Sequence, residues 1–179
     1  MKKAILWSFS TLLFLSITGC KKVNELTVFD LQYEAEVLIP SSINQGLPLA
    51  VNTPDIQTNS STRFENNDTR KDLIQEIKLT ELNLYIENPP SQNFDFLKSV
   101  EIYINASGLN SQLVAYRNDI PDGQGQQLSL FTTDADLQEY IKKDEFYLEV
   151  EVVTDQLITQ SVRIKALSNF RVDAKILGI

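Results

Sequence analysis

No histidine occurs among the 179 residues, and there is a single cysteine, Cys20. The first absence excludes Ser-His-Asp and Cys-His nucleophile schemes, imidazole acid–base work and His-ligated zinc or iron. The second leaves no intrachain disulfide and no thiolate set for an iron–sulfur cluster or haem attachment. Also missing are a Gly-x-Ser-x-Gly elbow, a Ser-x-x-Lys pair and a Gly-x-x-x-x-Gly-Lys phosphate cradle. Only carboxylate chemistry and oxygen-ligated metals stay open. Basic residues are in deficit, with 16 Lys and Arg against 24 Asp and Glu. That balance speaks against nucleic acid as a partner, because a phosphate-binding surface needs clustered cations.

What is present begins with a basic amino end, Lys2 and Lys3, followed by an apolar run from Ala4 to Ile17 and the sequence Ile17-Thr18-Gly19-Cys20. The run is shorter than the roughly 20 residues that span a bilayer. Charge, apolar core and small residues before a cut are the parts of an export signal. The last four residues resemble the lipobox of bacterial lipoproteins, in which an aliphatic residue and two small residues precede an invariant cysteine. The resemblance implies that residues 1–19 are a cleaved signal peptide, that Ile17, Thr18 and Gly19 are read by the lipoprotein signal peptidase, and that Cys20 carries the lipid. Buried acyl chains contribute about 0.8 kcal/mol per methylene, so two or three of them give a lasting anchor. Removing residues 1–19 takes Lys2, Lys3 and the only tryptophan, Trp7, with it, leaving a formal charge of -10. Residues 20–26 read as a lipidated tether. In some lineages surface lipoproteins resemble one another in an acidic cluster after the cysteine; Lys21 and Lys22 stand there instead, so the expectation is an outer-membrane anchor with the body in the periplasm.

Residues 27–179 read as one all-β domain. Leu31, Tyr33, Ala35, Val37 and Ile39 alternate with polar residues up to Pro40, the pattern of a half-buried strand. A short strand is expected over 47–51 and a polar loop over 52–68. A helix is expected over 69–78, capped by Asp68, with Leu73 and Ile77 on one face. A strand over 79–87 follows, stopped by Asn88-Pro89-Pro90. Two more short helices are expected, over 94–99 and, capped by Thr133, over 134–143, each leading into a strand. Helices placed this way cover the open ends of a sandwich.

Even-numbered apolar residues run through Phe146–Val152 and again through Val162–Ile176. Folding the chain at Leu157 sets Val150 against Ile164, Glu149 against Lys165 and Glu151 against Arg163, which predicts a hairpin with charge pairs on its outer face. Eight or nine strands and two or three short connecting helices make an antiparallel β-sandwich of immunoglobulin-like or jelly-roll type. Periodicity does not choose between the two.

Site candidates are few. The loop 118–127 (NDIPDGQGQQ) carries Asp119 and Asp122, oxygen donors of the kind calcium takes, although Pro-Asp-Gly is equally a turn. Asp134 and Asp136 beside them offer a carboxylate pair for a hydrolase. Tyr85, Tyr103, Tyr116 and Tyr147, read as exposed, are candidates to line a face for carbohydrate or peptide, against which stand the loss of the only tryptophan with residues 1–19 and the frequency of outward tyrosines as plain strand formers. The expectation is a non-catalytic accessory module with a protein partner in the envelope and no cofactor. A surface ligand-binding or adhesive protein is the alternative, and a carboxylate hydrolase a weaker one.

Overall fold

The computed structural model describes residues 28–41 and 43–175. The expected signal peptide, lipobox and tether, with Cys20, lie outside the described residues, as does the end of the last expected strand at Ile176.

Ten strands form two antiparallel sheets: β1 (Val28–Ile39), β2 (Pro48–Asn52), β3 (Ile56–Gln57), β4 (Ile74–Asn88), β5 (Leu97–Asn105), β6 (Gln112–Arg117), β7 (Gln127–Ser129), β8 (Phe131–Thr132), β9 (Glu145–Thr154) and β10 (Val162–Ala174). The first sheet has the order β1-β10-β4-β7; the second has β2-β9-β5-β6-β8, with β3 continuing the β2 edge along β9. The pairs β1–β10, β2–β9, β4–β7 and β5–β6 nest inside one another. Nested pairing is the arrangement of a jelly roll, two Greek keys wrapped together. In an immunoglobulin sandwich the first two strands pair side by side, whereas here β1 and β2 belong to different sheets.

The cause lies in the alternation. Strand β1 buries Leu31, Tyr33, Ala35, Val37 and Ile39 and exposes every residue between them, so one face of the sheet is apolar and must be covered. The second sheet presents Val100, Ile102, Ile104, Phe146, Leu148, Val150 and Val152 to it, all but fully buried. Tyr33 on β1 meets Phe146 on β9 at 5.3 Å and Phe170 on β10 at 5.7 Å between ring centroids, both edge to face. The first contact bridges the sheets and the second lies within one, and such pairs add about 0.5–1.5 kcal/mol each beyond area.

The expected β9–β10 hairpin is not formed. Val150 pairs with Ile102 and Val51, while Ile164 pairs with Val37 and Ile86. Two in-phase alternating strands can lie side by side or face one another across a core, and these face one another. Glu149 stands opposite Tyr103 and Asn52, Glu151 opposite Glu101 and Ala50, and neither meets Lys165 or Arg163. The connection 155–161 crosses between the sheets and drops Ile158 into the core.

The helix expected over 69–78 is a 3-10 turn of three residues, Lys71–Leu73, and the strand starts at Ile74. Asp68 takes a positive φ of 54° and is no cap. Strand β4 carries register shifts against β10 that leave Gln75 and Thr80 without partners. Such bulges space buried residues by three instead of two, so Ile74 and Ile77 imitate helical periodicity. The helix expected over 94–99 is likewise a 3-10 turn, Phe94–Phe96. That over 134–143 shrinks to Gln138–Ile141, with the Asp136 carboxylate rather than Thr133 accepting the Gln138 N–H. The loop expected over 52–68 contains β3 and a helix, Ser60–Glu65.

Strand direction fixes two ends. Both β1 and β10 have the chain-terminal side at one end, where the connections 53–73, 106–111 and 133–144 also lie. The connections 40–47, 89–96, 118–126 and 155–161 gather at the other, distal end.

Candidate functional site

The outer faces of the two sheets differ in how their charges are met. On the β1-β10-β4-β7 sheet most are compensated, Glu34 and Glu36 on the edge strand β1 making no ion pair among the described residues. Arg171 Nε lies 3.3 Å from Asp30 Oδ1, Lys78 Nζ 3.0 Å from Glu76 and Lys165 Nζ 3.9 Å from Glu87. A polar chain crosses all four strands. Gln32 donates to Asn169 (3.1 Å), Asn169 and Asn83 donate to the two oxygens of Glu81 (2.9 and 2.6 Å), and Ser129 donates to Asn83. Groups satisfied in this way have little left to offer a partner.

The opposite face is uncompensated. Register places Phe131, Tyr116, Glu101, Glu151 and Ala50 in one row across β8, β6, β5, β9 and β2. The next row is Leu113, Tyr103, Glu149 and Asn52. Among the described residues none of Glu101, Glu149 and Glu151 makes an ion pair. Glu101 and Glu151 are directly opposite, a placement in which like charges cost stability. The Tyr103 hydroxyl donates to Glu101 Oε2 at 2.6 Å. That hydrogen bond, with some burial and the charges of Glu101, Glu151 and Glu149, pushes the Tyr103 phenol up to about 12. Beside this stripe sits an aromatic edge. Phe131 is 58% exposed, its ring 6.0 Å from that of Tyr116, with the Arg117 guanidinium 5.2 Å from its centroid. Asn105, opposite Tyr147 at the end of the same face, is buried with its side-chain N–H₂ unpartnered.

Of the four tyrosines expected to share a surface, Tyr103, Tyr116 and Tyr147 do; Tyr85 stands on the other sheet, over which Lys165 lies. The remaining candidates are not brought together. Asp119 and Asp122 are exposed in the distal connection, which is held by Asp95, whose Oδ1 accepts the Gly123 N–H (2.7 Å) and the Gln124 N–H (3.3 Å). Asp134 and Asp136 lie at the other end, where Asp136 accepts the Ile77 N–H at 3.1 Å. Among the described residues no three acidic side chains converge as a metal site, and no helix is long and apolar enough to cross a membrane. The acidic stripe went unseen in the sequence because Glu149 and Glu151 were assigned basic partners that the topology places on the other sheet.

A nested sandwich whose second sheet turns an acidic, unpaired row outward defines a class, a jelly-roll β-sandwich presenting a sheet face. No family model and no curated protein matches the chain. Among solved structures it is similar to a chain of Desmodium yellow mottle tymovirus, at 8% identity and a TM-score of 0.31, over 85% of this chain and 91% of that one. A turnip yellow mosaic virus chain overlaps at 13% identity and a TM-score of 0.29, over 85% of this chain and 82% of that one. A Cocksfoot mottle virus chain does so at 7% and 0.29, over 84% and 85%. The jelly-roll assignment rests on the strand pairing and not on these overlaps.

Proposed function

We propose that the protein is a lipid-anchored lipoprotein of a bacterial envelope whose jelly-roll body is a non-catalytic binding module for a protein partner. The lipobox at Ile17-Thr18-Gly19-Cys20 supports the anchor. The observation that carries the binding role is the uncompensated row of Tyr116, Glu101 and Glu151, with two carboxylates directly opposite one another, where the other sheet carries the pairs Asp30–Arg171, Glu76–Lys78 and Glu87–Lys165. Like charges placed opposite one another at a cost in stability are accounted for when a partner's cations complete them. The module is expected on the outer membrane with its body in the periplasm.

Photo-crosslinking in living cells tests the partner. A photoreactive residue at Tyr116 or Glu151 should trap a discrete protein adduct, whereas one at Asn169 should trap none; equal adducts at all three sites would sink the assignment of the face. Cys20→Ala should abolish incorporation of labelled fatty acid and release the chain from membranes. Exposure is read by protease treatment of intact cells with a tag inserted after Gly123, at the end remote from the anchor. Loss of the tag without lysis would place the body outside the cell and favour the alternative, a ligand-binding surface protein using Tyr103, Tyr116 and Tyr147.

A further inference from the structure

At the open side of the sandwich β1 is the edge of one sheet, and β2 and β3 are the edge of the other. In an antiparallel edge strand the N–H and C=O of alternate residues point away from the neighbour. The Gln32 carbonyl accepts from Arg63 Nη1 at 3.1 Å and so faces outward; by alternation the same holds for Glu34, Glu36 and Leu38. Among the described residues the edge is covered near its start, by Arg63 on the Ser60–Glu65 helix and by Thr58, whose carbonyl accepts from Tyr33. From Glu34 to Leu38 no backbone group among the described residues pairs with it.

A cleft runs beside this free stretch. Its distal half, about 390 Å³, lies between Val37, Leu38, Val51 and Pro54, with Arg163 at one end. The other half, about 370 Å³, lies between Glu34, Ala35, Asp55 and Ile56. Glu36 and Pro54 line both, so the two hollows adjoin. A strand added to β1 would direct alternate side chains over Ala35, Val37 and Pro54 and the others opposite Glu34 and Glu36.

We propose that this edge accepts an extended segment of a protein partner that alternates small apolar and basic residues, pairing with the main chain of Glu34, Glu36 and Leu38. The inference deepens the reading of a protein-binding module and commits it to strand addition at a named edge. Charge complementarity selects the occupant. Glu34, Glu36 and Asp55 face the cleft against one cation, Arg163.

The probe is a capped peptide of about seven residues alternating lysine and valine, added to the full chain in detergent. Binding should slow amide exchange at Glu34, Glu36 and Leu38 and leave their odd-numbered neighbours, already bonded to β10, unchanged. The same peptide with alternate backbone nitrogens methylated should bind about tenfold more weakly or worse. Glu36→Pro should do likewise, since a proline is tolerated where the N–H faces outward from an edge. Glu34→Gln with Glu36→Gln should weaken binding while keeping the exchange pattern. No binding, binding without slowed exchange at these amides, or loss that follows Glu101→Gln and Glu151→Gln instead would overturn the proposal. Concentration-dependent protection of these amides in the protein alone would overturn it too, by assigning the edge to a second copy. Failure here leaves crosslinks from Tyr116 untouched, so the two readings are separable.

Discussion

Two tyrosines show how position decides the role of one side chain. Tyr33 lies between the sheets with its hydroxyl donating to the Thr58 carbonyl, and burial pushes its phenol up to about 12. A folded-state value above the ordinary one near 10 means that the native state holds this proton more tightly than the unfolded state. The associated stability is complete below pH about 10 and declines as pH rises from there toward 12. Tyr103 is held to the same range by Glu101 on the outer face. A spectrophotometric phenol titration should therefore lose one late-titrating group in Tyr33→Phe and another in Tyr103→Phe, and Glu101→Gln should move Tyr103 down. Tyr33→Phe should also cost about 1 kcal/mol of stability in urea, for the lost hydrogen bond. Phe146 and Phe131 make a similar contrast. Phe146 is 1% exposed between Tyr33 and Phe170, and Phe146→Ala should cost about 3–5 kcal/mol in denaturant unfolding. Phe131 is largely in solvent, and Phe131→Ala should stay within about 0.5 kcal/mol while weakening any partner held at the aromatic edge. Alternation alone made Phe146 readable as core; the exposure of Phe131 was not readable, because it follows from two residues of strand at a sheet edge.

The strand is the scale at which the sequence was most and least informative. Strand β1 was legible from Leu31 to Ile39 because both its faces obey one period and a proline ends it. Strand β4 was not, because its bulges shift the period and its first buried residues are three apart. Pairing was illegible for a different reason. A matched apolar face is also what two strands show when they face one another across a core, and the outer charges matched only by coincidence, Glu151 standing opposite Glu101 and Arg163 opposite Leu38 and Asn88. Glu151 and Arg163 should accordingly show no coupling in a double-mutant cycle read by urea unfolding, while Asp30 and Arg171 should couple by up to about 1 kcal/mol, falling with salt. Glu151→Lys should stabilise the fold by a few tenths of a kcal/mol, by relieving its opposition to Glu101, and should abolish crosslinking from Tyr116. Greater stability with less binding is the mark of a residue kept for a partner and not for the fold.

At the scale of the whole molecule, the nested pairing governs the order in which the fold can be made. Strands β5 and β6 are close in sequence and can zip as soon as both exist, whereas β1 waits for β10, with Val28 opposite Asp173 and Ile39 opposite Val162. Non-local pairings of this kind slow folding. Val37→Ala should then leave the refolding rate nearly unchanged and speed unfolding, as stopped-flow measurements in urea would show, because its contacts form after the rate-limiting step. For a chain that crosses a membrane with its amino end leading, the same nesting sets a schedule. On the proposed export route the first strand to emerge is the last to be satisfied, and the side of it that β10 takes stands unpaired until the final strand has followed. The proposed route thus carries with it an interval in which a holdase on the far side of the membrane has something to hold.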